Sequence, residues 1–213
     1  MDAVTFDMDG VLVNSEDFWL PRQSRELFPA AVPSGNASVD ETMGMNYREV
    51  YDYLAANYDV AMNRDAVLAW YDETAEEIYG ERVRLLDGAA DLVETLRGRG
   101  VAVALVSSAP HHWIDTVRDR FPVALDEVVS ADAVDGPGKP EPDIYRAATG
   151  RLGTRPAATV AVEDSGHGIA AARRAGMHVV GFKHGDPDGT DRSGADYVAS
   201  SPADLREYLL ARA

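Results

Sequence analysis

The sequence predicts an α/β fold, a doubly wound parallel sheet with helices on both faces, interrupted by an inserted all-helical unit. Three observations predict it. Short, continuous apolar runs such as VAVALV have the length and character of strands buried on both faces. These runs alternate with segments of helical periodicity, as crossover connections in a parallel sheet require. Between about residues 15 and 84 the alternation stops, and apolar residues recur only at helical spacing.

Residues 3–7 (AVTFD) read as a buried strand that ends in polar residues and glycine. In the block after it, Val50, Tyr53, Leu54 and Tyr58 form one helical stripe, and Val67, Leu68, Tyr71, Ala75 and Ile78 form another. Pro29, Pro33, Ser34 and Gly35 are expected to separate the first helix from the next. Then come a helix at 88–97, stopped by Gly98 and Gly100, a strand at 101–106, a helix at 112–120 and a weak strand at 127–130. A helix at 143–152 starts after Pro142. Next are strand 159–162, helix 168–175 and strand 178–181, with a short strand at 197–198 and a helix at 203–210. The predicted organisation is a Rossmann-like core of residues 1–13 plus 85–213, with residues 14–84 inserted as a helical cap.

Charge is the unusual feature of the composition. Acidic residues number 36 and basic ones 20, for a net charge of −16, and all but two of the basic residues are arginine. Such a surface repels nucleic acid and anionic lipid, so neither is an expected partner. It reads as a salt-adapted (halophilic) surface; the alternative is an ordinary acidic protein from an arginine-rich genome. On the first reading, molar KCl is expected to raise the melting temperature above that in dilute buffer. The Debye length falls from ~30 Å at 0.01 M salt to ~3 Å at 1 M, which quenches self-repulsion. A thermal scan in which KCl lowers the midpoint would contradict it. There is no cysteine, hence no disulfide framework and no thiolate metal site. No apolar stretch approaches ~18 residues, so a membrane span is not expected. The start, MDAVTFDMDG, lacks a basic region followed by an apolar run, and the expected location is the cytoplasm.

The chemistry-bearing residues gather at predicted strand ends. Asp7 and Asp9 close the first strand in FDMDGVL, two residues apart and so on one side. Two carboxylates held together call for a cation, and a hard one such as Mg²⁺ suits them. Alone, the pair reads as a solvated turn with two acids or as helix-capping aspartates. Ser107 and Ser108 end the second clear strand, where hydroxyls and amides can hold a phosphate or simply cap a helix. Glu163 and Asp164 stand at another strand-to-helix turn. Lys139 lies in GKPEP, a loop stiffened by two prolines, in a chain with only one other lysine, Lys183. In open α/β sheets ligands bind outside the carboxyl ends of the strands, where all these groups would meet.

The segments FDMDGVLVNSE, VSSAP, GKPEPDIY and VEDSGHGIAAARRAGM resemble, in order and spacing, the four motifs of the haloacid dehalogenase superfamily, over almost the whole chain. The helical insert after the first motif resembles the type 1 cap of the β-phosphoglucomutase and phosphoglycolate phosphatase branch. The resemblance implies a phosphatase with Asp7 as nucleophile and Asp9 as general acid and base. It implies phosphoryl binding by Ser107, Ser108 and Lys139. It also implies Mg²⁺ held by Asp7, the Asp9 carbonyl and Asp164, with Glu163 beside or on the metal. The expected substrate is a small phosphorylated metabolite.

Within the superfamily, Asp9 argues against dehalogenation, and the absence of lysine from the insert argues against the Schiff-base phosphonate chemistry. A phosphomutase remains the alternative, and a catalytically silent binding module is a third reading. The mutase's cap histidine aligns with Trp19. Its phosphate-gripping arginine, set after a cap glycine, has Arg48 after Gly44 as its nearest match, displaced by one residue. Trp19 and Arg48 are therefore candidate substrate contacts, with cap core and solvated helix start as their plain readings. His111, His112, His167, His178 and His184 read as surface or structural residues, and the acidic stretch 186–191 as a solvated loop.

Overall fold

A computed structural model describes residues 1–42, 45–183 and 191–213. Six strands form one parallel sheet in the order β3-β2-β1-β4-β5-β6. They are β1 (Ala3–Phe6), β2 (Ala102–Ser107), β3 (Glu127–Ser130), β4 (Thr159–Glu163), β5 (His178–Phe182) and β6 (Tyr197–Ala199). This is the doubly wound arrangement expected, and every predicted strand lies within two residues of its observed bounds. Strand order reverses between β1 and β4, and the crevice at such a switch point is where ligands bind in sheets of this kind.

Alternation along each strand feeds two cores. Val160, Val162, Val180 and Phe182 belong to one, with Leu92, Leu96, Leu205 and Leu209 from helices α5 (Ala89–Gly98) and α9 (Pro202–Leu210). Ala161 and Val179 belong to the other, with Ile144, Tyr145, Ala148, Ile169 and Ala172 from α7 (Asp143–Arg151) and α8 (Gly166–Ala175). The small residues of α8 let that helix approach the sheet closely, and its Gly176 ends it in the left-handed conformation. Helix α6 (His111–Arg120) packs Trp113, Ile114 and Val117 on the first core.

Between β1 and α5 the chain is helical: α1 (Glu16–Arg22), α2 (Phe28–Ala31), α3 (Tyr47–Asn57) and α4 (Arg64–Glu77). The backbone leaves and returns side by side. The Asn14 N–H donates to Arg84 O at 3.2 Å, and the Arg84 N–H to Asn14 Oδ1 at 2.7 Å. One expectation needs correcting. Pro29 does not break the first helix, because a π turn (Gln23–Leu27) carries the helical path from α1 into α2. Pro29 follows directly on that π turn, where the Phe28 N–H bonds five residues back to Gln23 O, and the backbone stays helical through it. The path ends only before Pro33, and Gly35 at φ 72° turns it. Among the described residues, no helix is long and apolar enough to cross a membrane.

Candidate active site

Phe6, the last residue of β1, pairs with Leu105 of β2 on one side and Val162 of β4 on the other, and those strands run on to Ser107 and Glu163. The residues just past those ends share one edge. Met8 turns into the core with no exposed surface, which leaves Asp7 and Asp9 on the other side of the chain. Met8 O accepts from the Leu12 and Val13 N–H groups and closes a tight loop. Gly10 has φ 70°, and a Cβ there would stand 2.0 Å from Asp164 Oδ2. Only glycine lets the β1 loop and the β4 loop approach this closely.

Lys139 joins the two loops from a third direction. Its Nζ donates to Asp7 Oδ1 at 2.8 Å and to Glu163 Oε1 at 2.6 Å, and all three side chains are almost wholly buried. Tyr145 of α7 donates a further hydrogen bond to Glu163 Oε1, and Ser165 Oγ donates to Oε2 at 3.3 Å. A Cβ on Gly168 would fall 2.0 Å from the Glu163 carboxylate, so that glycine makes room for it at the start of α8. Desolvation pushes the Lys139 ammonium down, but the adjacent Asp7 and Glu163 charges outweigh it and hold the group above its ordinary value. Burial, with neighbouring acids, raises the Asp7 and Asp164 carboxyls well above the usual range.

Asp7, Glu163 and Asp164 each offer a carboxylate oxygen within 4.8 Å of the others, a donor set that suits a hard divalent cation. The Asp9 carboxylate is not in that group. Its Oδ1 accepts from Ser15 Oγ at 2.6 Å and from Tyr79 Oη at 2.7 Å, and Tyr79 Oη in turn accepts from Trp19 Nε1 at 3.0 Å. Burial raises the Asp9 carboxyl, against the pull of the Ser15 and Tyr79 hydrogen bonds.

Asp7, Asp9, Lys139, Asp164 and Tyr79 line a cavity of about 90 Å³ between the strand ends and the helical insert. Ser108 is on its wall. Ser107 is fully buried behind it, with Oγ accepting from the Ala109 N–H at 3.0 Å. Trp19 lines the cavity, 6% exposed. Arg48 does not line it. That guanidinium is 40% exposed and pairs with Asp132. The reason is helical phase: Tyr47, one residue earlier on α3, takes the cavity side, and the next residue is rotated by about 100°. His111 and His112 are exposed at the start of α6, and His178 bonds Tyr208 Oη at 2.8 Å, away from the cavity. Gly44, His184 and residues 186–190 lie outside the described residues.

Sequence reasoning missed several contributors. Ser15, Glu16 and Tyr145 stand inside the motif segments, so adjacency is a usable signal for them. Tyr79, 70 positions from Asp9, carries none. Contacts across the cavity join insert and core: Asn46 Nδ2 donates to Ser108 O at 3.3 Å, and the Gly138 N–H donates to Glu49 Oε1 at 3.0 Å. The Lys139 loop is therefore held by α3 from one side and by Asp7 and Glu163 from the other.

A buried carboxylate beside a fixed ammonium, three acids placed for a cation and a second carboxyl in hydrogen-bonded contact with the insert form a site for phosphoryl chemistry. Known proteins point the same way. Residues 4–182 match the family model described as haloacid dehalogenase-like hydrolase. The chain is 29% identical to hexitol phosphatase B of Escherichia coli (strain K12), over 84% of this chain and 82% of that one. It is 28% identical to the beta-phosphoglucomutase of Bacillus subtilis (strain 168), over 99% and 94%. A solved haloacid dehalogenase-like protein of unknown function from Agrobacterium tumefaciens superposes with a TM-score of 0.78 at 29% identity, covering 99% of this chain and 98% of its own. With the motifs, the sheet order and the clustered acids all in agreement, the chain belongs to the haloacid dehalogenase-like hydrolase family, as an enzyme of its phosphatase and phosphomutase branch.

Proposed function

We propose that this protein is a magnesium-dependent phosphatase that hydrolyses a small phosphate monoester through a phosphorylated Asp7. The observation that carries the reading is the bridge from Lys139 to Asp7 and Glu163 at the mouth of the sheet's switch point, with Asp164 within 4.8 Å. Residues 14–84 act as the cap over a catalytic core of residues 1–13 and 85–213.

The roles follow from the chemistry. A phosphoryl dianion approaching a carboxylate meets like charge, and Lys139 offsets part of it. Asp7, Asp164, the Asp9 main-chain carbonyl and, directly or through water, Glu163 would hold Mg²⁺. When bound, the ion neutralises charge on the phosphoryl oxygens as a Lewis acid. Asp7 attacks phosphorus as the ester oxygen leaves, and Asp9 gives that oxygen its proton. Water then attacks the phosphoryl group on Asp7 and gives a proton to Asp9, which frees phosphate and restores both carboxyls. The raised Asp9 carboxyl suits the donor role, and the Ser15 and Tyr79 hydrogen bonds on Oδ1 leave Oδ2 for the transfer. Ser108 borders the phosphoryl site, with Ser107 buried directly behind it.

Water as the acceptor distinguishes this reading from a mutase. A mutase must grip a second phosphate and handle a sugar hydroxyl with a cap base. Trp19 only donates, and its N–H is already given to Tyr79. Arg48 is committed to Asp132 outside the cavity. The expected result with β-glucose 1-phosphate and a trace of the 1,6-bisphosphate is therefore inorganic phosphate. Glucose 6-phosphate formed faster than phosphate would overturn hydrolysis in favour of the mutase.

A further inference from the structure

Tyr79 is held by its hydroxyl, its ring and its main chain. The hydroxyl donates to Asp9 Oδ1 at 2.7 Å and accepts from Trp19 Nε1 at 3.0 Å. The ring packs in an aromatic wall of the cavity, 6.0 Å between centroids from Trp19 and 5.8 Å from Trp113, which stack on each other at 5.7 Å. The main chain belongs to a π turn (Ile78–Arg82) at the end of the insert, which closes where the Val83 N–H donates to Ile78 O at 3.0 Å. Carbonyls beyond that bond have no partner within the turn. The Arg84 N–H, five residues past Tyr79, is given to Asn14 Oδ1 at 2.7 Å instead.

Arg120 supplies the missing donors from the core. Its Nη1 donates to Tyr79 O, and its Nη2 donates to Glu81 O at 3.3 Å and to Val83 O at 3.2 Å. No carboxylate among the described residues pairs with it, although the chain has 36 acidic residues. A guanidinium at the carbonyl end of a helical turn is favourably placed, and its planar fork can serve several oxygens at once. The Phe121 ring, with its centroid 4.9 Å from the guanidinium carbon, backs that fork. Trp113 and Arg120 stand seven residues apart on α6, two turns along one face. The same helix therefore holds Tyr79 by its ring and by its main chain.

This grip bears on the proton transfer. Both hydrogen bonds to the Asp9 carboxyl, from Ser15 and from Tyr79, fall on Oδ1. Together they fix the plane of the carboxyl and so the direction of Oδ2. With the Tyr79 bond gone, Ser15 alone leaves the group free to turn. Misplacement of a reacting group by about 1 Å can cost ~10²-fold in rate.

We infer that Arg120 is a positioning residue for this transfer: by holding the Tyr79 carbonyl it keeps Tyr79 Oη on Asp9 Oδ1, and so keeps Oδ2 turned to the leaving oxygen. The inference rests on the phosphatase reading and extends it to a residue outside the cavity.

Ethyl phosphate and acetyl phosphate, nearly equal in size, test it. Ethoxide needs a proton as it leaves, whereas acetate departs as a stable anion. With the purified full chain and Mg²⁺, the ratio of kcat/KM for ethyl phosphate to that for acetyl phosphate is the readout. It is expected to fall at least about tenfold in Arg120→Met, which keeps the stem and removes the donors, and in Tyr79→Phe. Arg120→Lys, whose ammonium lacks the fork, is expected to lie between native and Arg120→Met. Because Arg120 acts through Tyr79, the double variant is expected to be no slower on ethyl phosphate than Tyr79→Phe alone. A merely structural role would slow both esters alike and leave the ratio where it was. An unchanged ratio in Arg120→Met, or losses that add in the double variant, overturns the inference. Should a thermal scan find Arg120→Met unfolded at the assay temperature, Arg120→Lys decides, a lowered ratio supporting the inference and an unchanged one overturning it. A native protein that hydrolyses acetyl phosphate but not ethyl phosphate has no proton donor for Arg120 to position, and only the inference falls. If neither ester is hydrolysed, the phosphatase reading falls.

Discussion

Asp7→Asn is expected to lower kcat by at least about 10³-fold while the fold survives. The amide keeps the size of the carboxyl and can still accept from Lys139 Nζ, so the packing of Asp7 against the ends of β1 and β4 is preserved. What it loses is nucleophilicity. It also relieves charge crowding, since burial, Glu163 and Asp9 all oppose ionisation of Asp7. The melting temperature of the variant is therefore expected to hold or rise as activity disappears. Steady-state rates and a thermal scan on one preparation check both halves. A near-native kcat would remove Asp7 from the nucleophile's role.

Chelation is expected to be as severe. EDTA should take activity to background, and added Mg²⁺ should restore it. Asp7, Glu163 and Asp164 offer oxygens within 4.8 Å of one another, with Asp9 close by, and among the described residues Lys139 is the cation paired with them. At an effective dielectric of ~20, each unit pair at 4 Å costs about 4 kcal/mol, so one ammonium leaves a large residue of repulsion. A divalent cation offsets it, and binding linked to the native state should also raise the melting temperature, by mass action worth about 2.7 kcal/mol at a hundredfold excess over Kd. Activity undiminished in a metal-free preparation would contradict the assignment.

Much of this was legible in the sequence, and the reason is geometric. Strands buried on both faces must be apolar throughout, so AVTF, VAVALV and TVAV announced themselves, and β2 and β4 were placed to within a residue at each end. In a doubly wound sheet the site lies at strand ends, so Asp7, Asp9, Glu163 and Asp164 could be found from the residues just past each strand. Lys139 was visible because lysine is so rare in this chain. The insert was less transparent. Helical periodicity marks a buried stripe but not which neighbour it meets. It did not tell that Tyr79 would reach Asp9, nor that Tyr47 rather than Arg48 would face the cavity. Pro29 read as a breaker because proline lacks an N–H, yet the helical path runs through the π turn before it and on past it. The aromatic wall joins residues as far apart as Trp19 and Trp113, a contact that only the folded chain brings about.

If Asp7 is the nucleophile, phosphate passes through its carboxylate on the way to water. Acid quenching of a single turnover, followed by mass spectrometry of the digested chain, detects that passage. The expected result is one phosphoryl group on the peptide that begins at the N-terminus and contains Asp7, appearing with the burst of released alcohol and decaying as free phosphate forms. A burst of alcohol with no phosphoryl group on that peptide, or with the group on another residue, would contradict it.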